Sequence, residues 1–298
     1  MTNKHFLKIS DCSKTELLSL LEHSSKLKAD LKQGVPHHLL QGKTLAMIFE
    51  KPSSRTRISF EVGMFQLGGS AININVNDIG MGGREPVVDV ARTLSRYVNT
   101  VMIRAIHHWT LEEFAGVATV PVINGLSDHH HPCQALADIL TIREYKKDLQ
   151  KVTICYIGDG NNVCNSLIEI CRLLEINLRI ACPPGYEPLL KQKSKFVEIF
   201  HSPQEACKDV DVIYTDVWVS MGQEELTARK ISAFQGYIVN EKLFKSAKKD
   251  AIFMHCLPAH RGLEVDNEIF ESKRSVVFDQ AENRLHCHKA ILAMLLQN

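Results

Sequence analysis

The chain has 298 residues, of which 45% are hydrophobic and 23% charged, with a formal net charge of +1. That length allows two domains with separate cores, and the near-neutral balance offers no field to attract nucleic acid or an anionic membrane, so the expected partner is a small molecule. No apolar run reaches bilayer-spanning length, the N-terminus lacks a secretory apolar segment, and nine irregularly spaced cysteines suit free thiols, which together predict a cytoplasmic location.

Residues 14–31 carry Leu17, Leu18, Leu20, Leu21 and Leu27 among polar positions, the pattern of an amphipathic helix closed by Gly34 and Pro36. Short apolar runs follow at 45–49, 71–76, 98–103 and 120–123, with helical periodicity at 87–97 and 111–115 between them. Alternation of this kind predicts a parallel sheet. A helix is predicted over 131–145 and a polar hinge at 146–151. The pattern restarts at 152–157, 178–181, 212–214, 252–255 and 276–278, which predicts a second lobe, and 282–297 reads as a final helix returning to the first. The expected fold class is α/β, with two doubly wound lobes whose central parallel sheets are flanked by helices. Ligands of such sheets bind outside the carboxyl ends of the strands.

Five stretches at strand ends can carry chemistry. Ser53, Ser54, Arg55, Thr56 and Arg57 stand between a strand and a helical pattern, where hydroxyls and backbone N–H groups converge on an anion. Arg55 is the expected ligand and Arg57 the expected partner of a structural ion pair, because residues two apart face differently on a helix; the plain alternative is an N-cap with surface arginines. In the stretch from His129 to Asp138, Pro132 begins a helix, with His131 just before it and Gln134 in its first turn. Three successive histidines point apart on a turning chain, and no second cluster has zinc spacing, so no metal is expected. After the strand at 152–157, Gly158 and Gly160 resemble a dinucleotide turn, but Val163 occupies the third glycine position and no acidic residue closes the next strand. Asn161 and Asn162 suit either a polar ligand or a helix cap. Asp216 offers a partner for an ammonium group, Ser220, Met221 and Gly222 form a turn able to close over a ligand, and Cys256 is either core filler or a contact for an amine.

Taken in order, these stretches resemble the ornithine carbamoyltransferases over essentially the whole chain. The family's S-x-R-T-R stands at 53–57, H-P-x-Q at 131–134, S-M-G at 220–222 and H-C-L-P at 255–258. The resemblance implies a carbamoyl phosphate-binding domain of residues 1–133 plus 281–298 and an ornithine-binding domain of 134–280, joined by interdomain helices. It implies that Ser53, Ser54, Arg55 and Thr56 hold the phosphate, that Arg104, His131 and Gln134 address the carbamoyl group with Leu257 nearby, and that Arg284 returns to the same site. Asn162, Asp216, Ser220, Met221 and Cys256 would hold ornithine; Arg55, Arg104, His131 and Cys256 would be catalytic. No cofactor is implied, and the assembly implied is a homotrimer. One departure is Gly80, where related trimeric enzymes often place a glutamine that reaches a neighbouring subunit's phosphate site. Two other readings remain: a carbamoyltransferase with a different amine acceptor, differing at 216–222, and a non-catalytic anion-binding module, which has no need of Arg104, His131 and Gln134 together.

Overall fold

The computed structural model describes residues 4–188, 194–219 and 227–297. The chain divides into two compact units, the first formed by Met1–Leu140 with Glu282–Asn298 and the second by Thr141–Ala281. The division falls inside two helices, Pro132–Lys146 and Val277–Leu296.

In the first unit, β1 (Thr44–Phe49), β2 (Ser70–Asn75), β3 (Thr100–Arg104) and β4 (Val122–Leu126) form a parallel sheet in the order β2-β1-β3-β4. Leu45, Ala46, Met47 and Ile48 of β1 are all buried, as a parallel strand covered on both faces requires. The strand order reverses between β1 and β3, and at their carboxyl ends Phe49 pairs with Arg104. A crevice at such a switch point is where doubly wound sheets bind ligands. The register of β3 on β4 shifts between Ile103 and Arg104, with Gly125 as the extra residue. A Cβ on Gly125 would collide with the Met102 sulfur, so the absent side chain makes room for the bulge that re-aims Arg104.

The second unit contains β5 (Thr153–Ile157), β6 (Asn177–Ala181), β7 (Val197–Phe200), β8 (Val212–Thr215) and β9 (Ile252–His255), parallel throughout and ordered β7-β6-β5-β8-β9. Its switch point lies between β5 and β8, where Ile157 pairs with Thr215. Its core gathers Cys155, Ile213, Phe234, Phe244 and Phe253.

Two expectations need correction. The strand predicted at 276–278 does not form: Ser275 makes a single bridge to Phe253, and from Val277 the chain is helical to Leu296. Val276, Val277 and Phe278 suit a strand individually, but they run directly into the helical register that follows. Conversely, β7 escapes the search for apolar runs because it is an edge strand whose residues are all partly or fully exposed, with Glu198 at its centre.

Candidate active site

In the first unit, β1 delivers the chain to the N-terminus of the Ser54–Gln66 helix. Ser53 is its N-cap, accepting from the Thr56 N–H at 3.3 Å while its hydroxyl donates to Thr56 Oγ1 at 3.1 Å. Ser54 is exposed and Arg55 half-buried at this end, so hydroxyls, N–H groups and a guanidinium share the positive end of the helix dipole. Arg57 pairs with Glu61 at 3.5 Å one turn on, as expected from its facing.

Arg284, buried on the final helix, joins this cradle to the H-P-x-Q turn. Its Nη1 donates to Gln134 Oε1 at 2.6 Å and its Nη2 to Thr56 Oγ1 at 3.2 Å. Gln134 Nε2 in turn donates to Asp138 Oδ1 at 2.8 Å, which fixes which end of the amide is oxygen. Thr56 Oγ1 thus accepts from both Ser53 and Arg284, which directs its own O–H toward a further acceptor. The sequence reading missed His288 and Ser59. His288 Nε2 accepts from Arg284 Nε at 3.4 Å, its Nδ1 meets Ser59 Oγ at 2.9 Å, and its ring stacks on Phe60 with centroids 3.8 Å apart. The signal available was its position four residues after Arg284, one turn along the same face.

His131, 5% exposed, lies within the field of several cations. Burial first, then the charges of Arg284, Arg104, His288 and Arg55, hold its pKa well below that of an ordinary histidine, so the ring is neutral at neutral pH. The other two histidines of the run go elsewhere. His130 packs edge-on to His108 at 4.9 Å, and His129 meets His108 in the same edge-on manner at 6.4 Å.

In the second unit, Asn161 caps the Asn162–Leu174 helix, its Oδ1 accepting from the N–H groups of Val163 at 3.0 Å and Cys164 at 3.1 Å. Its Nδ2 also donates to Asp216 Oδ2 at 2.7 Å, so the helix cap and the Asp216 carboxylate are held by one side chain. Asp216 Oδ1 accepts from the Val217 N–H at 2.8 Å and from Cys256 Sγ at 2.9 Å. Asn161, Asp216 and Cys256 therefore converge beyond the ends of β5, β8 and β9. Asn162 Oδ1 accepts from Val163 N at 2.9 Å, and Leu257 follows Cys256 with a left-handed φ of 58°. Ser220 and Met221 lie outside the described residues.

Asp216, His255 and Cys256 bring ligand-type atoms within 4.8 Å of one another. The histidine, however, uses both ring nitrogens: Nδ1 accepts from the Leu257 N–H at 2.9 Å and Nε2 contacts Glu264 Oε1 at 3.1 Å. A metal there would have to break one of these bonds, so the trio fits hydrogen bonding rather than coordination.

The G-x-G turn has a packing explanation. Gly160 N donates to Tyr186 O at 2.9 Å, and a Cβ on Gly160 would run into the Pro188 backbone and approach the Glu187 carbonyl carbon to 2.6 Å. The second glycine admits a crossing backbone rather than a pyrophosphate. Asp159 beside it pairs with Lys230 at 2.5 Å, with both side chains largely buried, a pair absent from the sequence reading because 71 residues separate the partners.

Comparison with known proteins bears on family and fold. The family model described as the aspartate/ornithine carbamoyltransferase carbamoyl-P binding domain matches residues 4–144, and that described as the Asp/Orn binding domain matches 150–295. The ornithine carbamoyltransferase of Archaeoglobus fulgidus is 50% identical over 299 residues, covering 98% of this chain and 97% of the relative. The anabolic ornithine carbamoyltransferase of Pseudomonas aeruginosa is 48% identical over 305 residues, covering 100% and 99%. Among solved structures, ornithine carbamoyltransferase from Pyrococcus furiosus superposes with a TM-score of 0.94 at 48% identity, covering 99% and 97%.

Proposed function

Because the chain belongs to the aspartate/ornithine carbamoyltransferase family, we propose that it transfers the carbamoyl group of carbamoyl phosphate to the δ-amine of L-ornithine, giving L-citrulline and phosphate. The observation that carries this reading is the Arg284 fork, which gathers Thr56 and Gln134 from two separate motifs around one buried guanidinium. An anion-binding module has no use for an oriented glutamine amide beside its phosphate cradle.

In this reading the residues matched by the carbamoyl-P model bind the first substrate and those matched by the Asp/Orn model bind the second. Ser53, Ser54, Arg55 and Thr56 hold the phosphate, with Arg284 as a bidentate clamp. Arg104, His131 and Gln134 take the carbamoyl group. Asn162, Asp216, Ser220 and Met221 grip the α-carboxylate and α-amino groups, while Cys256 and the Leu257 carbonyl face the reacting nitrogen. The δ-nitrogen lone pair attacks the carbamoyl carbon, an oxyanion forms, and the C–O bond to phosphate breaks. A donor placed on that oxyanion contributes about 2.7–4 kcal/mol, and Arg104 supplies its charge at any working pH. His131, held neutral, donates one N–H without adding a second full charge. The leaving phosphate accepts the proton lost by nitrogen, so no protein base or covalent nucleophile is required. An alkylamine titrates at ~10.4, so presenting it neutral at pH 7 costs roughly 5 kcal/mol, and activity rises toward alkaline pH.

The same reading places the enzyme in arginine biosynthesis, like its relatives named anabolic, and in the cytoplasm, where the nine free cysteines persist as thiols. It also assigns a homotrimer. Ile58 and Phe65, seven residues apart on one face of the Ser54–Gln66 helix, are 58% and 79% exposed, and β2 is an open sheet edge, features that a subunit interface would cover. Gly80 has φ 66°, and a Cβ there would come within 2.9 Å of Arg84 Cβ, so the turn fits glycine better than a longer residue.

The test is citrulline formation from carbamoyl phosphate and ornithine, with aspartate, putrescine and acetylornithine as parallel acceptors. Strong preference for ornithine is expected. Turnover of another amine alone would overturn the acceptor assignment, and no turnover with any acceptor would favour the anion-binding module.

A further inference from the structure

We propose that Glu264 is a positioning residue for the amine-acceptor site, acting through His255 on the peptide that carries Cys256 and Leu257. The inference rests on the carbamoyltransferase reading above and extends it to a residue outside its motifs.

Glu264 and His255 are both completely buried. The His255 Nδ1 accepts the Leu257 N–H, so the proton of a neutral ring sits on Nε2 and is donated to Glu264 Oε1. The same carboxylate oxygen accepts from the His260 N–H at 2.5 Å, which ties the far end of the loop to the same anchor. The His255 backbone N–H is held separately by Gln280 Oε1 at 2.9 Å. Between these fixed points Leu257 takes a left-handed φ of 58°, a conformation that a branched side chain rarely adopts and that only surrounding bonds maintain. That turn leaves the Cys256 thiol 2.9 Å from Asp216 Oδ1.

A buried carboxylate is a costly way to hold a loop. Apolar packing would serve a purely structural turn as well. What a carboxylate adds is direction: it selects one tautomer and one ring orientation, and the ring selects one orientation of the 256–257 peptide. The positions of the Cys256 thiol and Leu257 carbonyl toward an amine are thereby set by a residue that touches neither. Glu264 also has an Oε2 buried without a hydrogen-bond partner among the described residues, so the placement of its other oxygen carries the whole arrangement.

The experiment compares the full-length wild type with Glu264→Leu and Glu264→Gln, measuring kinetics for each substrate, the denaturation midpoint, and the alkylation rate of Cys256 by iodoacetamide, read by peptide mass spectrometry. Cys256 is the one cysteine of nine that is not buried, so the label reports its surroundings without reference to activity. Glu264→Leu is expected to lower kcat/KM for ornithine about tenfold or more with KM for carbamoyl phosphate within about twofold, while the amide of Glu264→Gln, still able to accept from His255, restores most of it. Cys256 alkylation should change at least threefold in the leucine variant and less in the glutamine one. If the leucine variant does not fold, Glu264→Asp decides: drawing the carboxylate back by one methylene from His255 and His260 should lower kcat/KM for ornithine and change the labelling. A folded leucine or aspartate variant with wild-type ornithine kinetics and unchanged labelling overturns the proposal, as does a defect falling equally on both substrates. Absence of wild-type turnover with ornithine would sink the functional reading, while the labelling comparison would still decide whether Glu264 positions Cys256.

Discussion

Arg284→Lys keeps the charge of the buried cation and removes its shape. The guanidinium sends Nη1 to Gln134, Nη2 to Thr56 and Nε to His288, three directions fixed by one planar group. An ammonium on a flexible stem cannot satisfy all three, and a hydrogen bond to a charged group is worth about 1.5–3 kcal/mol net. Losing two of them, the longest being the weakest, predicts about 3 kcal/mol less stability, with the Gln134 amide keeping its bond to Asp138 but losing its guanidinium partner. If the guanidinium also clamps the phosphate, removal of one oriented donor lowers kcat/KM for carbamoyl phosphate by about 10²–10³. The KM for ornithine should move little, because the residues assigned to it hang on other strands. The assay is steady-state citrulline formation with each substrate varied, beside a denaturant titration. Arg284→Leu supplies an electrostatic control. Arg284 is the largest charge depressing His131, so the leucine variant should raise the His131 pKa whereas the lysine variant should not. Carbamoyl phosphate kinetics within about threefold of wild type in Arg284→Lys would refute the clamp.

Three further outcomes are expected. Gly160→Ala should destabilise the protein by about 1–3 kcal/mol and raise the ornithine KM, because the added methyl meets backbone at Pro188 and displaces the loop bearing Asn161 and Asn162; an unchanged denaturation midpoint would contradict the packing argument. Lys289, fully buried on Gln66, His37 and the Leu27 carbonyl, has its pKa lowered by burial from 10.5 to about 8. The unfolded chain therefore binds the extra proton between those values, so stability rises with pH across that window and the penalty, on the order of 3 kcal/mol, is complete below it. Stability curves of Lys289→Met should lack this rise, and curves parallel to wild type would refute it. In nuclear magnetic resonance titrations the His131 ring should show no inflection near pH 6.5, since its protonation is displaced well below; a midpoint at or above that value would remove the neutral donor from the mechanism.

The amino-acid sequence by itself determined the alternation of strands and helices and the places where the chain leaves each strand. The apolar run from Leu45 to Ile48 reads as a strand, and Ser53 before a helical pattern reads as an anion ligand or an N-cap, because both depend on local periodicity and capping chemistry. The motif residues were visible for the same reason: they sit in short contiguous stretches. Tertiary structure alone decided which of them share a site. Arg284 meets Thr56 and Gln134 across sequence separations of 228 and 150 residues, which no local pattern encodes. It also decided that Asn161 caps its helix and steadies Asp216 at once, and that Gly160 answers a crossing backbone. His288, Lys230 and Glu264 were illegible in the sequence because a lone polar residue acquires meaning only from the partner that folding buries beside it.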